Sequence, residues 1–563
     1  MKKITFISIG LLGLLISSNC LIDDYLKNKQ IAVDLPSYNV HVVLEFVDVN
    51  TGKYVSSAAG EQVSGQFSQV GTGVLLNYLD QPVTNFTAMN GVFACALDPD
   101  QNPTPENPVI FLLNANLNGF EPVSKWVRLT GNGVHSFRVA MYQTANPPDG
   151  VEVIADSDAG STDSSGKVLS AVSIPMGQKA AISIPVGTIL KDASGNPLSG
   201  KVSFRGIYYD PDQTSALQVF PGGLDVRTNR SGAIEDGTFL TSGLFDLTVM
   251  VGGKEVKTLE NGGINIRNQV AREAGTSIDL WTLDETKGVW VYEQTSQVKV
   301  VENQTVLEAT ITHLSVINWD IYLGNCSSGI SLKFVPGSEN LAEMNISINL
   351  HLNVPEGTNY SQQKSFQFNP QLPDYPNTIQ LNAQVPQLPG TFSFSSTTST
   401  TATFSPPTWY VSNLCGPETY EIVVNQEPEV PPHLPLSFDI LVDCPNNDEI
   451  AYRPSFLLWY KPEGASRWFY QPMVKGKITL YLNPGIWYDA AALFSNDIYR
   501  TSRFMIENQG DEVWVHHVEY FMAETAGSYE FMITKFHKTD DVYLLSPVIE
   551  LSQESCDVLG VGK

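Results

Sequence analysis

The fold is indicated most clearly by residues 182–200, Ile182-Ser-Ile-Pro-Val-Gly-Thr-Ile-Leu-Lys-Asp-Ala-Ser-Gly-Asn-Pro-Leu-Ser-Gly200. A run rich in β-branched residues precedes Asp-Ala-Ser-Gly-Asn-Pro, a cluster of turn formers, and the chain continues with Leu-Ser-Gly. This order predicts strand, turn, strand. The 43 glycines and 34 prolines interrupt the 563-residue chain in the same way throughout. Many short strands are therefore favoured over long helices, and we expect an all-β protein built from tandem β-sandwich domains.

Composition excludes several classes of protein. The chain has 33 basic and 59 acidic residues and a formal net charge of −26, yet only 16% of its residues are charged and 42% are hydrophobic. A largely disordered chain needs fewer hydrophobic residues and denser charge. Nucleic-acid binding is excluded as well, because a strongly acidic chain repels phosphate backbones.

The N-terminus has the organisation of an export signal. Lys2 and Lys3 precede an apolar run over residues 4–16, which is too short to span a bilayer. Cys20 follows the run and resembles the lipidated cysteine of bacterial lipoproteins, which implies a signal peptide at 1–19 and lipidation at Cys20. The alternative is an ordinary signal peptide that contains a cysteine.

The residues after Cys20 carry a further resemblance. Asp23 and Asp24 are similar to the surface-export signal of Bacteroidetes lipoproteins. This implies a protein tethered by residues 20–36 to the outer membrane and exposed on the cell surface, with the lipid as its membrane contact.

The remaining cysteines fit an oxidising compartment. Cys326 and Cys415 bracket one domain, and Cys444 and Cys556 bracket the next, which predicts the disulfides Cys326–Cys415 and Cys444–Cys556. Cys95 lies in the apolar run Val-Phe-Ala-Cys-Ala-Leu, and we expect a buried free thiol.

The first predicted domain covers residues 37–146. Apolar and polar residues roughly alternate over 40–49, which is typical of a strand. The motifs Val47-Asp-Val-Asn-Thr-Gly-Lys53 and Asn118-Gly-Phe-Glu-Pro122 are similar to those of carboxypeptidase-regulatory-like β-sandwiches, which implies a non-catalytic module.

Residues 147–166 are rich in Asp, Ser and Gly and are predicted to form a polar linker. Asp156, Asp158 and Asp163 offer an alternative, a calcium loop, but Lys167 stands where such a loop has its bidentate glutamate.

The second predicted domain covers residues 167–322. After the stretch quoted above come Phe220-Pro-Gly-Gly-Leu224, Ile278-Asp-Leu-Trp-Thr-Leu-Asp-Glu-Thr-Lys-Gly-Val-Trp290 and Ile311-Thr-His-Leu-Ser-Val-Ile-Asn-Trp-Asp320. This order resembles the extracellular β-rich region of the FAM171 and cartilage intermediate layer protein families. The resemblance implies an extracellular structural or interaction module whose tryptophans, Trp281, Trp290 and Trp319, are core or turn residues.

Two further domains follow, at 323–426 and 436–563, separated by a Pro-rich hinge at 427–435. Both resemble immunoglobulin-like sandwiches in their strand pattern. The last domain concentrates aromatic residues, and strand alternation gives Phe469 one orientation and Trp468 and Tyr470 the other. We expect Phe469 in the core and Trp468 and Tyr470 exposed as candidate binding residues.

The sequence carries no familiar nucleotide, zinc-protease or esterase motif. It predicts a protein that is not an enzyme, with no catalytic residue, no metal site and no cofactor. The favoured function is an accessory or scaffold subunit of an envelope protein complex, with an outer-membrane β-barrel as partner. The alternative is a glycan-binding surface lipoprotein of a polysaccharide-uptake system, for which Trp468 and Tyr470 are the argument.

Overall fold

A computed structural model of the protein describes residues 31–56, 60–338, 341–353, 360–370, 377–381, 385–399, 401–426, 433–444, 450–496, 498–510, 512–519, 531–539, 542–546 and 548–550. Almost all of its regular structure is β, which confirms the expected fold class. The one helix among these residues is a single short turn, α1 (Thr214–Gln218).

Domain I is a sandwich of two four-stranded sheets, whose orders are β4-β6-β2-β9 and β5-β3-β7-β8 within the described residues. Its strands are β2 (Val40–Asp48), β3 (Ser64–Ser68), β4 (Leu75–Leu76), β5 (Asn85–Thr87), β6 (Val92–Leu97), β7 (Val109–Asn116), β8 (Val123–Leu129) and β9 (Gly133–Met141). Strands β8 and β9 are therefore edge strands of the two sheets. They lie against each other on the same side of the sandwich.

The central strand β2 is buried on both faces. Phe46 stacks on Phe86 of the opposite sheet, with ring centroids 5.7 Å apart. The alternate residues, which include Glu45, face outward but are also buried, because another part of the chain covers the outer face of this sheet.

Domain II has a large sheet of eight strands, ordered β10-β14-β16-β15-β21-β20-β24 with β17 beside β16. A five-stranded sheet, β11-β12-β19-β23-β22, and the pair β13–β18 complete it. The strands are β10 (Val151–Thr162), β11 (Val172–Met176), β12 (Ala180–Ile184), β13 (Ile189–Lys191), β14 (Gly200–Tyr209), β15 (Asp225–Asn229), β16 (Ile234–Val251), β17 (Lys254–Glu255), β18 (Thr258–Glu260), β19 (Ile264–Gln269), β20 (Ser277–Asp284), β21 (Val289–Gln297), β22 (Lys299–Val301), β23 (Gln304–Ile311) and β24 (Val316–Gly324).

Both faces of the large sheet carry apolar cores. Trp319 belongs to the core between the two sheets, whereas Trp281 and Trp290 belong to a second core that continues into the next domain. All three side chains are buried, which confirms that they are core residues.

The prediction of a linker at 147–166 is wrong for most of that segment. Residues 151–162 form β10, which pairs antiparallel with β14 as an edge strand of the large sheet. An irregularity between Asp156 and Gly160 bends this strand. Its polar side chains face solvent from an edge, and charged, irregular edges of this kind prevent pairing with other chains.

Domain III is a second sandwich of two four-stranded sheets, with orders β28-β25-β32-β30 and β27-β26-β29-β31 in its described part. Its strands are β25 (Ser331–Pro336), β26 (Met344–Leu352), β27 (Ser361–Phe368), β28 (Thr378–Gln380), β29 (Gly390–Ser396), β30 (Ala402–Ser405), β31 (Thr408–Val411) and β32 (Thr419–Gln426). A disulfide joins Cys326 to Cys415, 89 residues apart, as predicted. In the chain-entropy model such a loop stabilises by about 4 kcal/mol.

Domain IV has a nine-stranded sheet, β37-β36-β39-β40-β41-β42-β43-β33-β38, and a four-stranded sheet, β1-β35-β34-β44, within the residues described. Its strands are β1 (Ile31–Asp34), β33 (Leu434–Asp439), β34 (Leu441–Asp443), β35 (Ile450–Arg453), β36 (Phe456–Pro462), β37 (Phe469–Met473), β38 (Lys477–Leu482), β39 (Trp487–Ser495), β40 (Ile498–Asn508), β41 (Glu512–Glu519), β42 (Phe531–Thr539), β43 (Val542–Leu545) and β44 (Val548–Glu550).

Domain IV corrects two predicted boundaries. Residues 31–34, assigned to the tether, form β1 and pair in parallel with β35, near the other end of the chain. Leu434 and Pro435, assigned to the hinge, already belong to β33. Residues 427–432 of the hinge and 20–30 of the tether lie outside the described residues.

Domains I and IV share one hydrophobic core, although they are far apart in sequence. At its polar centre Arg467 pairs with Glu45, and the two side chains are only 7% and 2% exposed. Glu45 also accepts hydrogen bonds from Tyr54 at 2.7 Å and from Tyr470 at 2.8 Å. Arg467 donates a further bond to Thr397 of domain III at 3.2 Å. Arg467 therefore joins three domains.

We expect Arg467→Met to destabilise the protein by about 3–5 kcal/mol, because it leaves the Glu45 carboxylate buried without its counter-charge. The measurement is a urea unfolding curve followed by tryptophan fluorescence. Lys287→Met is the matched control, since Lys287 is 65% exposed in its pair with Asp284 and surface pairs contribute little. Equal midpoints for the two variants would contradict the prediction.

Candidate functional site

The predicted binding residues Trp468 and Tyr470 are not on the surface. They are 8% and 1% exposed, so the expectation that they are exposed is wrong, whereas Phe469 is buried as expected. Alternation fails because residues 467–470 are inserted between domains I and III. The carbonyl of Trp468 accepts a bond from Asn345 at 3.1 Å, and the backbone of Tyr470 exchanges two bonds with Gln367, at 2.9 and 3.1 Å.

The other predicted site residues are cysteines. Cys95 is free and buried, and burial raises the pKa of its thiol well above the ordinary value, so it is suited to packing rather than chemistry. Cys444 is disulfide-bonded. Its expected partner Cys556 and the lipidation residue Cys20 lie outside the described residues, so both assignments stay predictions.

The feature best suited to ligand binding is a cavity of about 570 Å³ between domains I, II and III. Its walls are the edge strands β8 and β9 of domain I, the edge strands β27 and β28 of domain III, and the segment from α1 to β16 of domain II. This volume lies within the range of about 300–1,000 Å³ that is typical of small-molecule sites.

Positive charge dominates the cavity wall. Among the described residues that line it, five are cationic, namely Lys125, Arg128, Arg138, Arg227 and Lys364, and two are carboxylates, namely Asp225 and Asp236. The excess is the reverse of the net charge of the whole chain, which is −26.

One carboxylate holds the domain II wall in place. Asp236 accepts hydrogen bonds from Arg227, at 2.9 Å, and from Arg128. The guanidinium of Arg227 lies 4.8 Å from the ring centroid of Trp126, whose indole N–H donates to the carbonyl of Gly288 at 2.8 Å. These contacts bind domain I to domain II, so this part of the wall is structural.

The second carboxylate lies between lysines from two other walls. Asp225 accepts a bond from Tyr360 at 3.3 Å and another from Gln362. Burial raises the pKa of Asp225 against the opposing effect of Lys364 and Lys125. Burial, together with the charges of Lys125 and Arg128, lowers the pKa of Lys364 to about 8, while Asp225 opposes that change.

The rest of the lining is polar but neutral, or apolar. Amide side chains are prominent, including those of Asn132, Gln218, Asn325, Gln362, Gln363 and Gln380. Amides donate and accept hydrogen bonds at once, as hydroxyl-bearing ligands require. The apolar part includes Val134, Phe137 and Phe366.

In the described part of the chain no group of three or more His, Cys, Asp or Glu side chains is placed to hold a metal ion. No helix found there is long and apolar enough to cross a membrane.

Sequence reasoning missed the cavity for a simple reason. Its basic residues are spread over more than two hundred positions of the chain and form no motif. The available signal was local: Lys125 and Arg128 interrupt Val123-Ser-Lys-Trp-Val-Arg-Leu129, an otherwise apolar strand. Charged residues within such a strand indicate that they contact either water or, as in this protein, another domain.

No protein-family model matches this sequence, and no curated protein matches it significantly. Among solved structures, a streptococcal ancillary pilin is 10% identical, with 50% of this chain and 94% of the pilin covered and a TM-score of 0.14. The major pilin subunit BcpA of Bacillus cereus is 8% identical, with 91% and 98% covered and a TM-score of 0.12. The pilus adhesin SpaC of Lactobacillus rhamnosus GG, in its open conformation, is 8% identical, with 87% and 56% covered and a TM-score of 0.16.

These TM-scores are too low for a conclusion about function. The resemblances to carboxypeptidase-regulatory-like and FAM171-like modules are not confirmed by any match. The function must therefore be inferred from the geometry of this chain.

The electrostatics of the cavity give a direct test. We expect Asp225→Asn to lower the pKa of Lys364 below its value of about 8, because the substitution removes the negative charge that favours protonated Lys364. The measurement is a pH titration of ¹³C-dimethylated lysines by NMR, with Lys364→Arg to assign the signal. The control is Asp284→Asn, which breaks an ion pair with the exposed Lys287 and should leave the pKa of Lys364 unchanged. An unchanged or raised pKa in Asp225→Asn would show that Asp225 does not act on Lys364.

Proposed function

We propose that the protein is a non-catalytic, lipid-anchored protein of the cell surface that serves as an accessory or scaffold subunit of an envelope complex. Lipidation at Cys20 would hold it at the outer membrane, and an outer-membrane β-barrel is the partner we favour. The observation that supports this role most strongly is the junction at Arg467, which ties domains I, III and IV together.

A scaffold presents several surfaces at fixed separations. A chain of independent domains on flexible linkers would not do so, because relative domain motion is the default when interfaces are small and polar. Here domains I and IV share a hydrophobic core, and domains II and III share another. Polar contacts such as Trp126–Gly288 join domain I to domain II. The domains therefore present one continuous exterior to a partner.

Purification of the native protein in a mild detergent tests this function. We expect it to be recovered with other envelope proteins and to require detergent for extraction. Cys20→Ala should separate from the membrane fraction, because this variant cannot carry the lipid anchor. Recovery of the native protein as a lone monomer would count against the scaffold role. The matched pair is Arg467→Met, expected to lose its partners, and Lys287→Met, expected to keep them.

Glycan binding is the second candidate, and the cavity is the observation that favours it. Trp468 and Tyr470 cannot be its contact residues, because both are buried at the domain junction. In this role we expect Tyr470→Phe to lower stability, through the lost bond to Glu45, by about 1.5–3 kcal/mol. Glycan affinity, measured under folding conditions, should stay the same. If Tyr470→Phe lost glycan affinity while its free energy of unfolding stayed the same, Tyr470 would be a glycan-binding residue after all.

A further inference from the structure

We propose that the protein sits on the bilayer through domain IV, with the edge formed by β1 facing the lipid surface and domain II farthest from it. The inference rests on the proposed lipidation of Cys20 and adds an orientation to it. It is carried by the place at which the chain that follows Cys20 enters the fold, by the length of that chain, and by the side chains around the entry point.

The first strand fixes the entry point. Residues 31–34 form β1, which pairs in parallel with β35 at an edge of the small sheet of domain IV. The pairing continues past the strand, because the N–H of Leu35 donates to the carbonyl of Arg453 at 3.0 Å. Only then does the chain enter domain I, where β2 begins at Val40. The order of domains along the chain would attach the tether to domain I, whereas the fold attaches it to domain IV.

Side chains around this entry point hold the strand and shape the edge. Lys475 and Arg453, from two segments of domain IV, lie 3.1 and 3.7 Å from the carboxylate of Asp34. Each pair is weak alone because it is partly exposed, but both add to the backbone ladder of β1. Val33 and Val474, next in sequence to Asp34 and Lys475, are exposed. The edge therefore presents apolar side chains and a carboxylate paired with two cations, which suits contact with lipid head groups.

The length of the tether limits how far β1 can lie from the bilayer. Only residues 21–30 separate Cys20 from Ile31. At full extension a chain spans at most 3.6 Å per residue, so the connection from Cys20 to Ile31 reaches about 40 Å at most. A domain of about 100 residues has a diameter of roughly 35 Å. The entry edge of domain IV is therefore held within about one domain diameter of the bilayer.

Domain II is separated from domain IV by the other two domains. Domains I and IV share one apolar core, and the cores of domain II contain described residues of domains I, II and III but none of domain IV. Domain II is bonded to domain I through Trp126 and Gly288 and to domain III through Asp225 and Tyr360. A molecule anchored at β1 therefore places domain II outermost, and a partner embedded in the bilayer would meet domain IV first.

Energy transfer to a labelled bilayer tests this orientation. The full lipidated chain, with one added cysteine that carries a donor fluorophore, is reconstituted into vesicles of phosphatidylethanolamine and phosphatidylglycerol that contain an acceptor-labelled lipid. Lys477→Cys places the donor at an exposed position beside the turn that carries Lys475. Ser194→Cys places it in an exposed turn of domain II. We expect transfer from position 477 to be at least about twofold more efficient, because the tether keeps β1 within about 40 Å of the bilayer.

Two matched insertions show whether β1 sets the orientation. A flexible Gly-Ser segment of about twenty residues adds roughly 25 Å of reach. Inserted between Gln30 and Ile31, it should lower transfer from position 477, because it lengthens the link between the lipid and β1. Inserted between Pro36 and Ser37, it should leave that transfer unchanged, since β1 and domain IV still hold the tether. Circular dichroism confirms that each variant is folded before the two are compared.

Two results would overturn the proposal. One is transfer from Ser194→Cys that equals or exceeds transfer from Lys477→Cys. The other is a Gln30–Ile31 insertion that lowers transfer no more than the Pro36–Ser37 insertion does. In both cases the protein would still bind vesicles, so the proposed lipid anchor would stand. If the unmodified chain did not bind vesicles at all, the anchor itself would be wrong, and the orientation with it.

Discussion

The buried pair of Glu45 and Arg467 is the interaction on which the domain arrangement depends. Two ions removed from water are stable only when each finds its counter-charge and further hydrogen bonds. Glu45 accepts hydrogen bonds from Arg467, Tyr54 and Tyr470. Arg467 donates a further hydrogen bond to the hydroxyl of Thr397. Apart from the Tyr54–Glu45 bond, which lies within domain I, each of these contacts joins two domains. The polar centre therefore specifies which domains meet and in what register, while the surrounding apolar core supplies the driving force.

The cavity is a consequence of that arrangement. Once domain IV holds domains I and III through residues 467–470, the free edges of both sandwiches are turned toward domain II. Edge strands carry unpaired backbone groups and cannot pack as closely as sheet faces do. The space left between them is lined by whatever side chains the edges carry. In this chain those side chains include lysines, arginines and amides, so the constraint that orders the domains also leaves a polar cavity between them.

Local patterns predicted the parts of the fold that depend on local physics. Alternation and turn residues gave an all-β chain, and large aromatic residues in central strands, such as Trp281, were correctly placed in the core. The errors share one cause, which is contact between segments remote in sequence. Residues 31–34 read as a polar tether but pair with β35. Residues 151–162 read as a linker because an exposed edge strand is as polar as a loop. Strand alternation predicts that Tyr470 points outward, but another domain covers this side chain.

The net charge of the whole chain differs from the local charge inside the cavity. A net charge of −26 keeps the exterior soluble and repels anions at long range. Within the cavity the charges of Lys125 and Lys364 act on Asp225 over a short range, where screening by salt is weak. The charge of the whole chain therefore governs what approaches the surface, whereas the local charges around Asp225 govern interactions inside the cavity.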